Sequence, residues 1–297
     1  MIPYRRIINC ANCGYVGRIK IDKYKLMQII IKEVFVDDYE FWMTLADDIF
    51  WYDVAESYRN RTLYDKALLC YEKAIELNGQ MADAWFDKAE LHDIFEEYEE
   101  MLTCYDKLIE LGIYADSAWN NKGVYYRDRT LYKKALKCFN EAIKIDSYDD
   151  LYWRNKGDAH YYLGQDLKAL ECYNKAIEID ETNKESWLDK AAILGYLKEY
   201  DEMLKCYDKA IELDSGDYDL WVTKGNYYAD VEDYSEALKC YDEAINISYN
   251  NSWLWQIKGE CYINICEFDK AEVCLKKALK INPNNKDAKY DLEYLLL

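Results

Sequence analysis

The chain has 297 residues, of which 51% are hydrophobic and 16% aromatic, while only 2 are Pro and 11 are Gly. So little turn punctuation excludes collagen-like, linker-like and disordered architectures and favours an all-helical chain. The formal net charge of −19 repels nucleic-acid phosphates and anionic lipid.

The first segment runs against that balance. Residues 1–32 hold seven basic side chains (Arg5, Arg6, Arg18, Lys20, Lys23, Lys25, Lys32) and the single acid Asp22, so this arm carries +6 and the remainder −25. Within it, Cys10-x-x-Cys13-Gly14 lies between short apolar runs and resembles one knuckle of a zinc ribbon, with Arg18 to Ile21 as the returning strand of a β-hairpin. A structural zinc wants four ligands, and no other Cys or His precedes Cys70. Cys10 and Cys13 would therefore hold zinc only between two chains, which makes a homodimer. The alternative is a vestigial knuckle, or a hairpin laid on the acidic body. Asp22 to Phe35 reads as an amphipathic helix and Tyr39 to Ala46 leads into the next element, together an N-terminal cap over 23–47. The interrupted stretch Leu26 to Val36 is the longest apolar candidate and falls short of the ~18 residues of a membrane span. The first ten residues lack the apolar core of a secretory leader. The odd number of cysteines, 11, fits a reduced, cytoplasmic setting.

From residue 48 onward a single period governs the chain. Trp51, Trp85, Trp119, Trp153, Trp187, Trp221 and Trp255 are each 34 residues apart, and so are Cys70, Cys104, Cys138, Cys172, Cys206, Cys240 and Cys274. Four residues after each Trp stands a small residue (Ala55, Ala89, Gly123, Gly157, Ala191, Gly225, Gly259), and three further on Tyr58, His92, Tyr126, His160, Leu194, Tyr228 or Tyr262. Positions 0, 4 and 7 share one helix face. A short polar connection leads to a second periodic stretch, in the first unit Tyr64, Ala67, Tyr71 and Ala74. Each unit is thus two antiparallel helices with a large ring on one facing a small residue on the other.

This pattern resembles the tetratricopeptide repeat, whose signature places Trp, Leu-Gly, Tyr, Ala, Phe and Pro over 34 residues. The resemblance covers seven repeats over 48–285 (48–81, 82–115, 116–149, 150–183, 184–217, 218–251, 252–285), with a C-terminal capping helix over 286–297 and the knuckle over 1–22. It implies a right-handed α-solenoid of stacked helix pairs. Where the family usually has Leu before the small residue, this chain has Lys88, Lys122, Lys156, Lys190, Lys224 and Lys258. Their stems would snorkel and their ammonium groups meet acids of adjacent repeats, with Asp146, Asp180 and Asp214 as candidates. The cysteine ladder reads as buried filler, and His92 and His160 as core residues.

The sequence holds no phosphate loop, nucleophile elbow or metal-spaced histidine pair, so no enzyme is expected. The resemblance implies a scaffold whose first helices line a concave groove for a peptide or helix of a partner protein. In the family the groove uses the fifth, ninth, twelfth and thirteenth positions. These place Tyr52, Arg59, Phe86, Arg127 and Arg154 in a polar half able to pair with charged side chains, and Leu188, Tyr196 and Val222 in an apolar half. Aromatic residues dominate such interfaces, which makes Phe86, Tyr161, Tyr162 and Tyr196 the expected anchors. The −25 body favours a partner segment of mixed or net basic charge. The competing reading is a zinc-dependent dimeric or nucleic-acid-binding regulator that acts through the basic knuckle while the repeats regulate it.

Overall fold

The computed structural model describes residues 7–9, 16–18 and 47–295. Two short strands, β1 (Ile7–Asn9) and β2 (Val16–Arg18), pair antiparallel with Ile8 opposite Gly17. The returning strand thus begins two residues before the expected Arg18. Cys10 and Cys13, with the zinc reading that rests on them, lie outside the described residues, as does nearly all of the expected cap over 23–47.

Fifteen helices follow among the described residues. They are α1 (Asp48–Arg59), α2 (Tyr64–Leu77), α3 (Ala82–Ile94), α4 (Tyr98–Leu111), α5 (Ala115–Asp128), α6 (Tyr132–Ile145), α7 (Asp150–Tyr162) and α8 (Asp166–Ile179). The series continues with α9 (Lys184–Tyr196), α10 (Tyr200–Leu213), α11 (Tyr218–Asp230), α12 (Tyr234–Ile247), α13 (Ser252–Asn264), α14 (Phe268–Ile281) and α15 (Lys286–Leu295). Two compact units divide the chain, 1–122 and 123–297, with the boundary inside α5.

The first helices carry side-chain caps where Asp or Asn precedes them. Asp47 accepts from the Phe50 N–H at 2.8 Å and Asn183 from the Ser186 N–H at 3.2 Å, satisfying donors that a helix start leaves free. Most second helices have none. They begin directly out of the turn that closes the first helix, and that turn repeats with the 34-residue period. Thr62, Glu96, Thr130, Gly164, Lys198, Glu232 and Cys266 all take positive φ. The N–H after each bonds a carbonyl five residues back, as in Leu63 to Tyr58 at 3.0 Å and Glu199 to Leu194 at 2.9 Å. The left-handed residue itself bonds three back, Thr62 to Arg59 at 2.9 Å. These are the two bonds of the Schellman motif. Only one of the seven positions is glycine, so scarcity of glycine does not prevent the turn; it costs about 1–2 kcal/mol per left-handed side chain.

Within each hairpin the ring-on-small-residue packing is as the spacing implies. A Cβ built on Gly157 would stand 2.6 Å from the Tyr173 ring, and one on Gly225 would stand 2.7 Å from Tyr241. Only a residue without a side chain allows that approach. Where Ala occupies the position, as at Ala55 and Ala191, it is fully buried. The seven ladder cysteines are buried too. Burial pushes the Cys70 thiol up to about 12 and those of Cys104, Cys172, Cys206 and Cys240 to about 11, which keeps them neutral and unreactive. The ladder tryptophans hook the loops that join hairpins. Nε1 of Trp85, Trp153 and Trp187 donates to the carbonyls of Gly79, Ser147 and Glu181 at 3.0, 3.1 and 2.9 Å, in each case six residues earlier.

The ladder lysines do meet acids, but not the ones expected. Lys88 bonds Glu72 at 3.0 Å, and Lys122, Lys224 and Lys258 bond Asp106, Asp208 and Asp242. Every partner lies 16 residues back, in the middle of the preceding second helix. Asp146 and Asp180 instead accept from the Tyr148 and Thr182 N–H groups in the following turns, and Asp214 pairs with Lys184 at 2.8 Å. The acids at the helix ends are thus already engaged, Asp146 and Asp180 by local turn donors and Asp214 by Lys184.

His92 is buried, its Nδ1 2.7 Å from Glu97, while His160 stands 2.8 Å from Gln165. At the C-terminal end α15 lays Ala288 on Leu275 and Ala278 of α14. Among the described residues, no helix is long and apolar enough to cross a membrane.

Candidate functional site

On a helix, about 100° per residue places the fifth, ninth and twelfth positions of a repeat on one face. The positions that pack the hairpin, the fourth, eighth and eleventh, fall on another. The expected groove residues at those three positions therefore share a face, with Tyr162 and Tyr196 at the thirteenth on its edge, and their partners can be followed within each unit.

In the first unit Tyr52 donates its hydroxyl to Asp87 at 2.7 Å, and Arg59 bonds the other Asp87 oxygen at 2.8 Å and also Glu90. Phe86 meets the Tyr114 ring edge to face at 5.8 Å. Desolvation raises the Asp87 pKa above the ordinary carboxylate value, while the Tyr52 bond and the Arg59 charge oppose the shift. Tyr52 itself is held as the neutral phenol by burial and by its bond to Asp87.

In the second unit Arg127 bonds Asn155 at 3.0 Å and Asp158 at 2.9 Å, and Arg154 bonds Asp189 at 2.9 Å. Burial raises the pKa of both Asp158 and Asp189 despite these cations. All three arginines expected to meet a charged ligand are thus engaged by acids of the next hairpin. Two residues of the expected apolar half belong to the core. Val222 is 4% exposed and packs with Ala244, Ile245 and Leu254, and Leu188 is partly buried against Ala210, Ile211 and Leu220.

What the face does offer is tyrosine. Tyr132 stacks on Tyr162 with ring centres 5.3 Å apart and planes at 12°, Tyr162 leans on Tyr161 at 5.4 Å, and Tyr161 leans on Tyr196 at 5.8 Å. The Tyr161 hydroxyl donates to that of Tyr196 at 3.1 Å, the first cause of a Tyr161 phenol pushed up to about 12. Tyr162 is 57% exposed and Tyr196 65%. Three of the four expected anchors therefore form one contiguous cluster from successive hairpins, while Phe86 stands apart in the first unit.

The bonds between hairpins were missed although the sequence carries their signal. A donor at the fifth position meets an acid 35 residues on, as in Tyr52 with Asp87 and Arg154 with Asp189. An Arg at the twelfth meets acids or amides 28 and 31 residues on, as in Arg59 and Arg127. Comparing each repeat with the next, rather than with the family pattern, would have found them.

No curated protein sequence matches this chain significantly. Among solved structures it is similar to a MamA protein, at 21% identity and a TM-score of 0.51, over 60% of this chain and 96% of that one. It is similar to PilF of Pseudomonas aeruginosa at 17% identity and a TM-score of 0.56, over 67% of this chain and 91% of that one. It is also similar to YrrB, described as a TPR protein with an unusual peptide-binding site, at 28% identity and a TM-score of 0.50, over 63% and 97%. Models of the tetratricopeptide repeat match residues 52–115, 116–149, 151–183, 184–217, 218–251 and 252–285. With repeat models and helix hairpins running through most of its length, the chain belongs to the tetratricopeptide repeat family.

Proposed function

We propose that this protein is a non-enzymatic cytoplasmic scaffold that captures an extended or helical segment of a partner protein on the first-helix face of its second unit. The observation that carries the reading is the cluster of Tyr161, Tyr162 and Tyr196, in which half-buried Tyr161 seats the exposed rings of Tyr162 and Tyr196 on the core. Tyrosine presents wide amphipathic contact area at low conformational-entropy cost and is enriched among binding hot spots. The peptide-binding site ascribed to YrrB, at 28% identity, supports a ligand of the same class here.

Charge narrows the ligand further. Arg59, Arg127 and Arg154 are engaged internally and act as struts of the face, so anionic side chains find no ready partner there. The segment that fits is apolar or basic, its cations drawn by the acidic body and able to lie over tyrosine rings. Replacing Tyr161, Tyr162 and Tyr196 together by Ala is the test. Capture of an interacting segment should fall at least tenfold with the far-ultraviolet helix signal unchanged, and undiminished capture would overturn the assignment.

A further inference from the structure

The lysine ladder is broken at two adjacent rungs. Lys88, Lys122, Lys224 and Lys258 each reach a carboxylate 16 residues back. At the two intervening repeats the residue 16 back is an amide, Asn140 behind Lys156 and Asn174 behind Lys190. Among the described residues neither lysine makes an ion pair. Their ammonium groups lie over the rings of Trp153 at 4.9 Å and Trp187 at 5.6 Å, as those of Lys88, Lys122 and Lys258 lie over Trp85, Trp119 and Trp255, but without the carboxylate that those three also hold. A cleft of about 630 Å³ opens at this place, lined by both Asn140 and Asn174 as well as by Trp153 and Lys156.

The charges around the cleft favour an anion. Lys156, Lys168 and Lys175 line it against Glu171 and Glu178, and Lys175 holds Glu178 at 2.5 Å. Glu171 is the one remaining carboxylate, so the lining is net positive on a body that is strongly negative. The side chains that vary are informative as well. An Asp at these two positions would close the rungs internally, as it does elsewhere, whereas an Asn leaves the lysine open and adds an N–H donor of its own.

We infer that an acidic segment of a partner protein lies in this cleft and runs on to Lys190, which stands outside the lining, so that two of its carboxylates complete the open rungs at Lys156 with Asn140 and at Lys190 with Asn174. Four neighbouring rungs show that a carboxylate is the group this seam accommodates. Stacked helices lie about 8–10 Å apart, and an extended peptide rises about 3.3 Å per residue, so acids at i and i+3 match the interval. Lys156 and Lys190, five or six residues before Tyr161, Tyr162 and Tyr196 on the same helices, are turned about 120–140° from them. This seam therefore lies on a different side of the helices from the tyrosine cluster, and the inference does not rest on the function proposed above.

The test uses the full chain and a synthetic peptide with two Asp residues separated by two Ala, its Asn counterpart and inorganic phosphate. Indole resonances of Trp153 and Trp187 report binding. The acidic peptide should shift both, and affinity should fall at least tenfold in the Asn140→Asp, Asn174→Asp double variant, whose new rungs repeat ones already present in the fold. The tyrosine triple variant should bind the peptide as the parent does. Unchanged affinity in the double variant, equal binding of the Asn peptide, or equal shifts with phosphate alone would each overturn the assignment.

Discussion

Arg127 and Asp158, 31 residues apart in sequence, are joined at 2.9 Å across successive hairpins, and the second oxygen of the same carboxylate accepts the Tyr173 hydroxyl at 2.9 Å. One carboxylate thus ties the first helix before it to the second helix of its own hairpin. Desolvation still outweighs these bonds and lifts the Asp158 pKa above its ordinary value.

That balance sets a pH dependence. Asp158 and Asp189 both have folded-state pKa values raised by burial, so the folded chain binds protons more readily than the unfolded one. Their stabilising contribution is complete below the unfolded value of about 3.9 and is lost as pH rises through the higher folded value. The contribution of these two groups to the urea midpoint should therefore rise as the pH falls from neutrality towards that unfolded value. Arg127→Met should lower stability at pH 7 by about 1–3 kcal/mol, because a buried carboxylate loses its cation, and should recover part of the loss at pH 5. A loss in Arg127→Met as large at pH 5 as at pH 7 would contradict the account.

Gly157 faces Tyr173 so closely that any β-carbon must displace the ring. Ala191 fills the same repeat position without exposure although its opposing residue is also a tyrosine, Tyr207, so the requirement at Gly157 is set by how closely its own ring approaches and not by helix propensity, which favours Ala. Gly157→Ala is expected to destabilise by about 1–3 kcal/mol through overpacking. Calorimetry would decide it, a rise in Tm being the adverse result.

Ser186 is fully buried and its hydroxyl has no hydrogen-bond partner. Its counterparts two and three repeats earlier are Ala118 and Ala84, both fully buried. Ser186→Ala should stabilise by about 1 kcal/mol, since an unsatisfied buried hydroxyl costs about 1–3 kcal/mol. Chemical denaturation of the pair of proteins measures the difference, and a loss of stability would reveal a bond to the hydroxyl.

The repeat, the hairpin and the filler role of the cysteines are legible in the order of residues alone. A 34-residue period in Trp and Cys records contacts made within one hairpin and its neighbour, and such local contacts recur wherever the residues recur. The sequence also pointed to Tyr161, Tyr162 and Tyr196, which occupy the twelfth and thirteenth positions that the family resemblance marks for the groove. What those positions are free to do depends on the packed hairpins around them. Arg59, Arg127 and Arg154 stand where a ligand contact was expected, yet acids of the next hairpin engage them. Val222 and Leu188 stand on the same nominal face and are drawn into the core. Asn140 and Asn174 look unremarkable until the four closed lysine rungs beside them are seen. Helical phase fixes the direction in which a side chain leaves its own helix, whereas its exposure and pairing depend on the neighbouring hairpin, which a single repeat does not encode.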